Sequence, residues 1–134
     1  MKTLIVLLMM LLAETGIAQS TTQTSDLLPI SNELRSELAQ SIAVECTFLH
    51  SSKTFAIDGR NAAVFIQVVD MVPPTNLSDQ LDGFLMFVDQ NSNSIDANFY
   101  YGLNGESYLE FKIDEQKFYN RLTPTGIEFF GRFK

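Results

Sequence analysis

The stretch Phe99-Tyr100-Tyr101-Gly102-Leu103-Asn104-Gly105-Glu106-Ser107-Tyr108-Leu109-Glu110-Phe111-Lys112-Ile113 decides the fold class. Asn-Gly between two aromatic and aliphatic runs is the composition of a type I′ hairpin turn, because both central residues of that turn need φ > 0. A two-residue loop at Asn104-Gly105 opposes Tyr101 to Tyr108, Tyr100 to Leu109 and Phe99 to Glu110, and opposed residues share a face. One face then carries Tyr100, Leu109, Phe111 and Ile113, the expected core side. The other carries Phe99, Tyr101, Tyr108, Glu110 and Lys112, mixed in polarity but rich in aromatic rings.

Antiparallel patterning continues on both sides of this hairpin. Upstream, Phe84 to Val88 and Ile95 to Tyr101 read as strands around an Asn/Ser-rich loop. Ala62 to Val69 is apolar on both faces except for Gln67, as in a central strand, and Pro73-Pro74 ends it. Residues 75–82 form a polar connection. Cys46 to His50 and Thr54 to Ile57 are short extended runs around a Ser-Ser-Lys turn, and Asp58-Gly59-Arg60-Asn61 is a second turn. Downstream, Asp114-Glu115 connects tightly to Lys117 to Leu122. Thr123-Pro124-Thr125-Gly126 has Pro and Gly where a type I turn wants them. Ile127 to Phe133 then reads as a closing strand, with Ile127, Phe129 and Phe133 on one side and Glu128, Phe130 and Arg132 on the other.

Only one helix is legible. Ser31 is its N-cap, Glu33 and Glu37 favour the positive end of the helix dipole, and Leu34, Leu38 and Ile42 recur every four residues. This spacing predicts a helix over about 32–44. The expected fold is therefore α+β: one N-terminal amphipathic helix packed on a curved antiparallel sheet of six or seven strands, with a small half-closed β-barrel as the variant. Two apolar sheet faces need two covers, and the sequence offers one helix.

The chain has 134 residues, 46% of them hydrophobic, with a net charge of -7, one cysteine and one histidine. That length is one domain. The acidic balance disfavours nucleic acid, which needs clustered Lys and Arg. Residues 1–18 read as a signal peptide: Lys2, then the apolar run Leu4 to Ala13, then Gly16-Ile17-Ala18 with small residues where signal peptidase cuts. The run is too short to span a bilayer, so no transmembrane segment is expected after cleavage. Residues 19–26 (QSTTQTSD) read as a flexible polar leader and 27–134 as a single α+β domain, giving a secreted or periplasmic protein of 116 residues. No cofactor and no metal site is read from the sequence. Cys46 cannot form an internal disulfide and is expected to be buried.

Function is weakly marked. The leading expectation is an exported, non-catalytic binding domain whose ligand is either a small apolar molecule or a protein partner. Phe99, Tyr101, Tyr108 and Phe130 would be its ligand-binding residues, because they lie on the second aromatic face and aromatic side chains are enriched at binding surfaces. The enzymatic alternative is a small hydrolase using His50 with a carboxylate such as Asp58. Cys46 and His50 would form a dyad on a helix, but on a strand they lie about 13 Å apart. Asp89-Gln-Asn91-Ser-Asn93-Ser94 matches the start of a calcium loop, without its Gly at position six or its acidic residue at position twelve. Gln67-Val68-Val69-Asp70 resembles the first positions of the Gln-x-Val-x-Gly loop of cystatins, which would imply protease inhibition through an exposed hairpin loop. Met71 stands in the glycine position, and the chain has no Trp for that family's second loop. Asn76-Leu77-Ser78 is a glycosylation sequon.

Overall fold

A computed structural model describes residues 27–101 and 106–133. The expected signal peptide, leader and Asn104-Gly105 turn lie outside the described residues. The elements run α1 (Asn32–Leu38), β1 (Ala43–Phe48), β2 (Thr54–Asp58), α2 (Gly59–Phe65), a 3-10 turn (Ile66–Val68), β3 (Gly83–Val88), β4 (Ser94–Tyr100), β5 (Tyr108–Ile113), β6 (Gln116–Arg121) and α3 (Pro124–Gly131). The α+β class holds. The six strands form one open antiparallel sheet in the order β2-β1-β3-β4-β5-β6, so the barrel variant is not formed.

Three helices stand where one was expected, and two of them replace predicted strands. The run from Ala62 is helical, not a central strand. A continuous apolar run of this length satisfies either reading, and Asp58 supplies the extended N-cap backbone that starts the helix at Gly59. Gly59 is required there, because a Cβ would sit 2.9 Å from the Ile42 carbonyl oxygen. The closing segment is helix α3. Thr123 caps it by accepting from the Gly126 N–H, and Pro124 occupies the first turn. A type I turn and a first helical turn share near-identical dihedrals, so Thr-Pro-Thr-Gly fits both. Helix α1 stops at Leu38, about half its expected length. Ser41 folds back to bond the Leu38 carbonyl through Oγ and N–H, and Ile42, half exposed, donates to Val88 as β1 begins.

All three helices cover one face of the sheet. On that face sit Val44, Cys46 and Phe48 of β1, Leu85 and Phe87 of β3, Ala97 and Phe99 of β4, and Leu109 and Phe111 of β5, all buried. Ile30, Leu38, Ala62, Phe65, Ile66, Val69, Leu122 and Phe130 pack onto them from the other layer. Burial of this continuous apolar layer is the main stabilising term. A polar side chain is also built into it. Asn120, fully buried on β6, accepts from the Ile30 N–H and donates to the Asp70 carbonyl, tying the N-terminal entry and the 70s segment to the sheet. Gly83 lets β3 approach β1 where a Cβ would come within 2.4 Å of the Thr47 carbonyl oxygen.

The hairpin register differs by one residue from the expected one. Tyr100 opposes Tyr108, Phe99 opposes Leu109 and Asn98 opposes Glu110. A two-residue loop at Asn104-Gly105 cannot give that parity. The core face of β5 is as expected, but β4 is flipped, so Phe99 points inward and Tyr100 outward. The two-residue turn with two positive φ angles occurs instead at Asp114 and Glu115 (49° and 66°), joining β5 to β6. Neither residue is Gly, and left-handed backbone costs an L-residue on the order of 1 kcal/mol. Glu115 gives little back, since its contact with Lys112 is an exposed ion pair. We expect Glu115→Gly to raise unfolding free energy by about 0.5–1 kcal/mol in urea titrations; a loss of stability would show that the side chain matters more than its backbone.

Candidate functional site

The four residues expected to bind a ligand do not form an open face. Phe99, Phe130 and Tyr108 are each at most 2% exposed, and only Tyr101 is partly accessible. The register and the helix explain the difference. Phe99 faces inward, and Phe130 lies on α3 with its ring stacked on Phe99 at 4.5 Å. Tyr101 meets the Phe99 ring edge-on at 6.2 Å. Tyr108 is on the opposite face of the sheet, stacked on Tyr100 at 4.9 Å and meeting Tyr119 edge-on at 6.3 Å.

The β4–β6 part of that second face is covered by the chain's own 72–82 segment. The Tyr108 hydroxyl accepts from the Ser78 N–H at 2.7 Å and donates to the Ser78 carbonyl. Glu106 accepts from the N–H groups of Thr75 and Asn76 and from the Thr75 hydroxyl, with Arg121 3.7 Å away. Desolvation pushes the Tyr108 and Tyr119 hydroxyls up to about 12, with the Glu110 carboxylate adding to it. Their folded-state values lie above the ordinary phenol, so the folded chain holds these protons more tightly. The stability this supplies is present below pH 10 and is lost as pH rises from about 10 to 12. Spectrophotometric titration should therefore find late-titrating tyrosines, and the urea midpoint should fall across that window. A midpoint independent of pH there would show that the segment does not bury Tyr108.

The remaining sequence candidates are dispersed. Cys46 lies on a strand, fully buried, with its thiol pushed up to about 12 by desolvation, so no thiolate is available for catalysis. Native protein at pH 8 should resist a thiol-reactive disulfide reagent and react once unfolded; fast reaction in the folded state would contradict this burial. His50 does meet a carboxylate, but it is Asp82, with Nε2 3.2 Å from Oδ1, and not Asp58. Asp82 also accepts from the Tyr101 N–H at 2.6 Å, so it anchors the end of β4. The hollow beside this pair holds about 20 Å³, room for a water molecule and little more. Ser51 at its rim donates its hydroxyl to the Phe133 carbonyl.

Asp89 spends its carboxylate on its own loop, accepting from the N–H groups of Asn91 and Asn93 and from the Asn93 side chain. Desolvation would raise its pKa, but these bonds outweigh it and hold the carboxyl below its usual range. Among the described residues no three His, Cys, Asp or Glu side chains cluster as a metal site. No helix among them is long and apolar enough to cross a membrane. The Gln67–Asp70 run forms no hairpin loop. Val68 ends the 3-10 turn and Val69 is fully buried, bridged to Leu122.

Among the described residues an apolar surface stays open at the β2 end of the sheet. A hollow of about 440 Å³ lies between the β2 edge, α2 and α3, lined by Ile57, Val64, Phe65, Val68 and Phe129, with the polar Asp58 and Asn61 also in its lining. Val64 is 59% exposed on its rim. Phe129 in its wall packs edge-on against Phe55 at 6.0 Å and Phe65 at 5.9 Å. A second hollow of about 460 Å³ lies on the outer sheet face among Glu45, Thr47, Phe84, Met86, Asp96 and Asn98, but the two carboxylates with Thr47 and Asn98 make it a hydrated surface. The sequence reading missed the first hollow because it placed 62–69 and 127–133 in strands. The usable signal was Asp58 before an apolar run, a helix start.

No protein-family model, no curated protein and no solved structure matches this chain.

Proposed function

We propose that the protein is an exported, non-catalytic binding domain that docks a protein partner along the edge of β2, with the partner's apolar side chains seated in the adjoining hollow. The observation that carries this reading is the coincidence of an open strand edge with an apolar hollow of about 440 Å³. Edge strands add partner strands through main-chain hydrogen bonds, while neighbouring pockets take alternate side chains and supply specificity. Large apolar openings are uncommon on the surfaces of soluble domains and mark interaction sites. The composition of residues 1–18 supports export. Catalysis is the weaker reading, because the His50–Asp82 pair faces no cavity that would hold a substrate.

The hollow is testable with an apolar dye. Anilinonaphthalene sulfonate should bind the native protein with enhanced fluorescence, and Val64→Glu, which adds a charge at an exposed helical position without touching the core, should cut that enhancement several-fold. Unchanged dye binding by a folded Val64→Glu variant would remove the hollow as the binding surface.

A further inference from the structure

The two edges of the sheet are treated differently by the chain. The β6 edge is occupied: the Tyr119 N–H donates to the Leu28 carbonyl, the Arg121 N–H to the Val72 carbonyl, and the Asp70 N–H to the Arg121 carbonyl. The β2 edge has no such cover among the described residues. The Phe48 N–H donates to the Lys53 carbonyl. With the β1–β2 register, alternation then turns the backbone groups of Phe55 and Ile57 toward β1 and those of Thr54, Ala56 and Asp58 away from it. Unpaired groups on an edge are a template for another strand.

Charge is divided between the two ends of the sheet as well. Strands β2, β1, β3 and β4 contain no Lys, Arg or His, and their charged residues are Asp58, Glu45 and Asp96. The register puts all three on the outer face, away from the helices. Glu45 opposes Ala56 and Met86, Met86 opposes Asp96, and Asp58 opposes Ala43. Among the described residues none of the three is in an ion pair; Lys53, in the turn before β2, and Arg60, on α2, pair with none of them. At the β6 end the cations are matched: Lys112, Lys117 and Arg121 meet Glu115, Glu110 and Glu106. Lys112, which the β4–β5 register sets beside Asp96, thus turns to Glu115 instead. The acidic surplus of the outer face therefore sits beside the open edge.

We infer that the partner segment added to this edge is basic: an extended stretch of protein in which Lys or Arg alternates with apolar side chains. This rests on the docking edge proposed above and names the chemistry of its partner. Side chains of an added strand alternate between the two faces. Those opposite Asp58 and Ala56 lie on the outer face, and the one between them, opposite Ile57, lies on the inner face at the hollow. A cation opposite Asp58 pairs with it directly. Glu45 is one strand further in, its Cα about 10 Å from the added strand. The small Ala56 between them leaves a path for a long Lys or Arg stem lying over its methyl group. The apolar side chain opposite Ile57 enters the hollow beside Val64 and Phe129. The order basic, apolar, basic is the same for a parallel or an antiparallel strand. An acidic segment sets like charges against Asp58 and Glu45, and that repulsion supplies specificity.

Two synthetic hexapeptides with blocked ends, Thr-Lys-Val-Lys-Val-Thr and Thr-Glu-Val-Glu-Val-Thr, test this by titration into the isotope-labelled protein, read in amide correlation spectra. The basic peptide should shift the Ala56 and Asp58 amides saturably, and the acidic one should leave them in place. Glu45 and Asp58 are exposed, so Glu45→Gln and Asp58→Asn remove charge without touching the core. Each should weaken the basic peptide by about threefold in dissociation constant. Glu45→Lys should bring the two peptides' affinities together or reverse their order.

Basic-peptide binding that ignores the Glu45 and Asp58 variants overturns the inference. Equal binding of both peptides at the β2 amides keeps the edge as a docking site and discards its basic chemistry. Binding of neither peptide, with dye fluorescence still sensitive to Val64→Glu, keeps the hollow and discards the basic strand. Should Asp58→Asn fail to fold, because Asp58 precedes α2, the two Glu45 variants decide alone.

Discussion

The stack of Phe99 on Phe130 is the contact on which the rest of the structure depends. The rings lie 4.5 Å apart at 23°, joining the middle of the sheet to the last helix. Phe48 packs on both, and Phe65 on Phe130, so the two layers share one aromatic centre. Because Phe130 reaches Phe99 only from a helix lying across the sheet, the stack fixes where α3 runs. That position in turn sets Phe129 beside Phe65 and Phe55 and so builds one wall of the hollow at the β2 edge.

The same contact explains why the expected second aromatic face is not an open one. Two of the residues that pattern reading placed on an open face, Phe99 and Phe130, are the core itself. A third, Tyr108, does face the other side of the sheet. There it serves as an anchor, its hydroxyl bonded to both backbone groups of Ser78. The second cover that the sheet needed is thus a loop, the 72–82 segment, held by Tyr108 and Glu106 on polar bonds. Helices take the β1–β5 inner face and this loop takes the β4–β6 outer face.

What is left open follows from those allocations. The loop lies at the β6 end and its entry also closes the β6 edge, together with the backbone at Leu28. Nothing comparable reaches β2 among the described residues. An open edge of five residues flanked by Ile57, Val64 and Phe129 combines unpaired backbone polarity with apolar surface, and both are satisfied by the addition of a strand.

The sequence by itself determined the class and much of the sheet. Local alternation marked β2, β3, β4, β5 and β6 within a residue, the inward set Leu109, Phe111 and Ile113, the Ser31 cap and the burial of Cys46, whereas β1 begins three residues before the extended run read at Cys46. These are local properties, fixed by period and cap chemistry. Tertiary structure decided the rest. The apolar run from Ala62 and the segment after Pro124 suit helix or strand about equally. They became helices because the inner sheet face needed a second layer that α1 alone is too short to supply. The β4–β5 register was likewise settled by packing: a one-residue slip exchanges Phe99 for Tyr100, and the buried layer between sheet and α3 admits the ring without a hydroxyl.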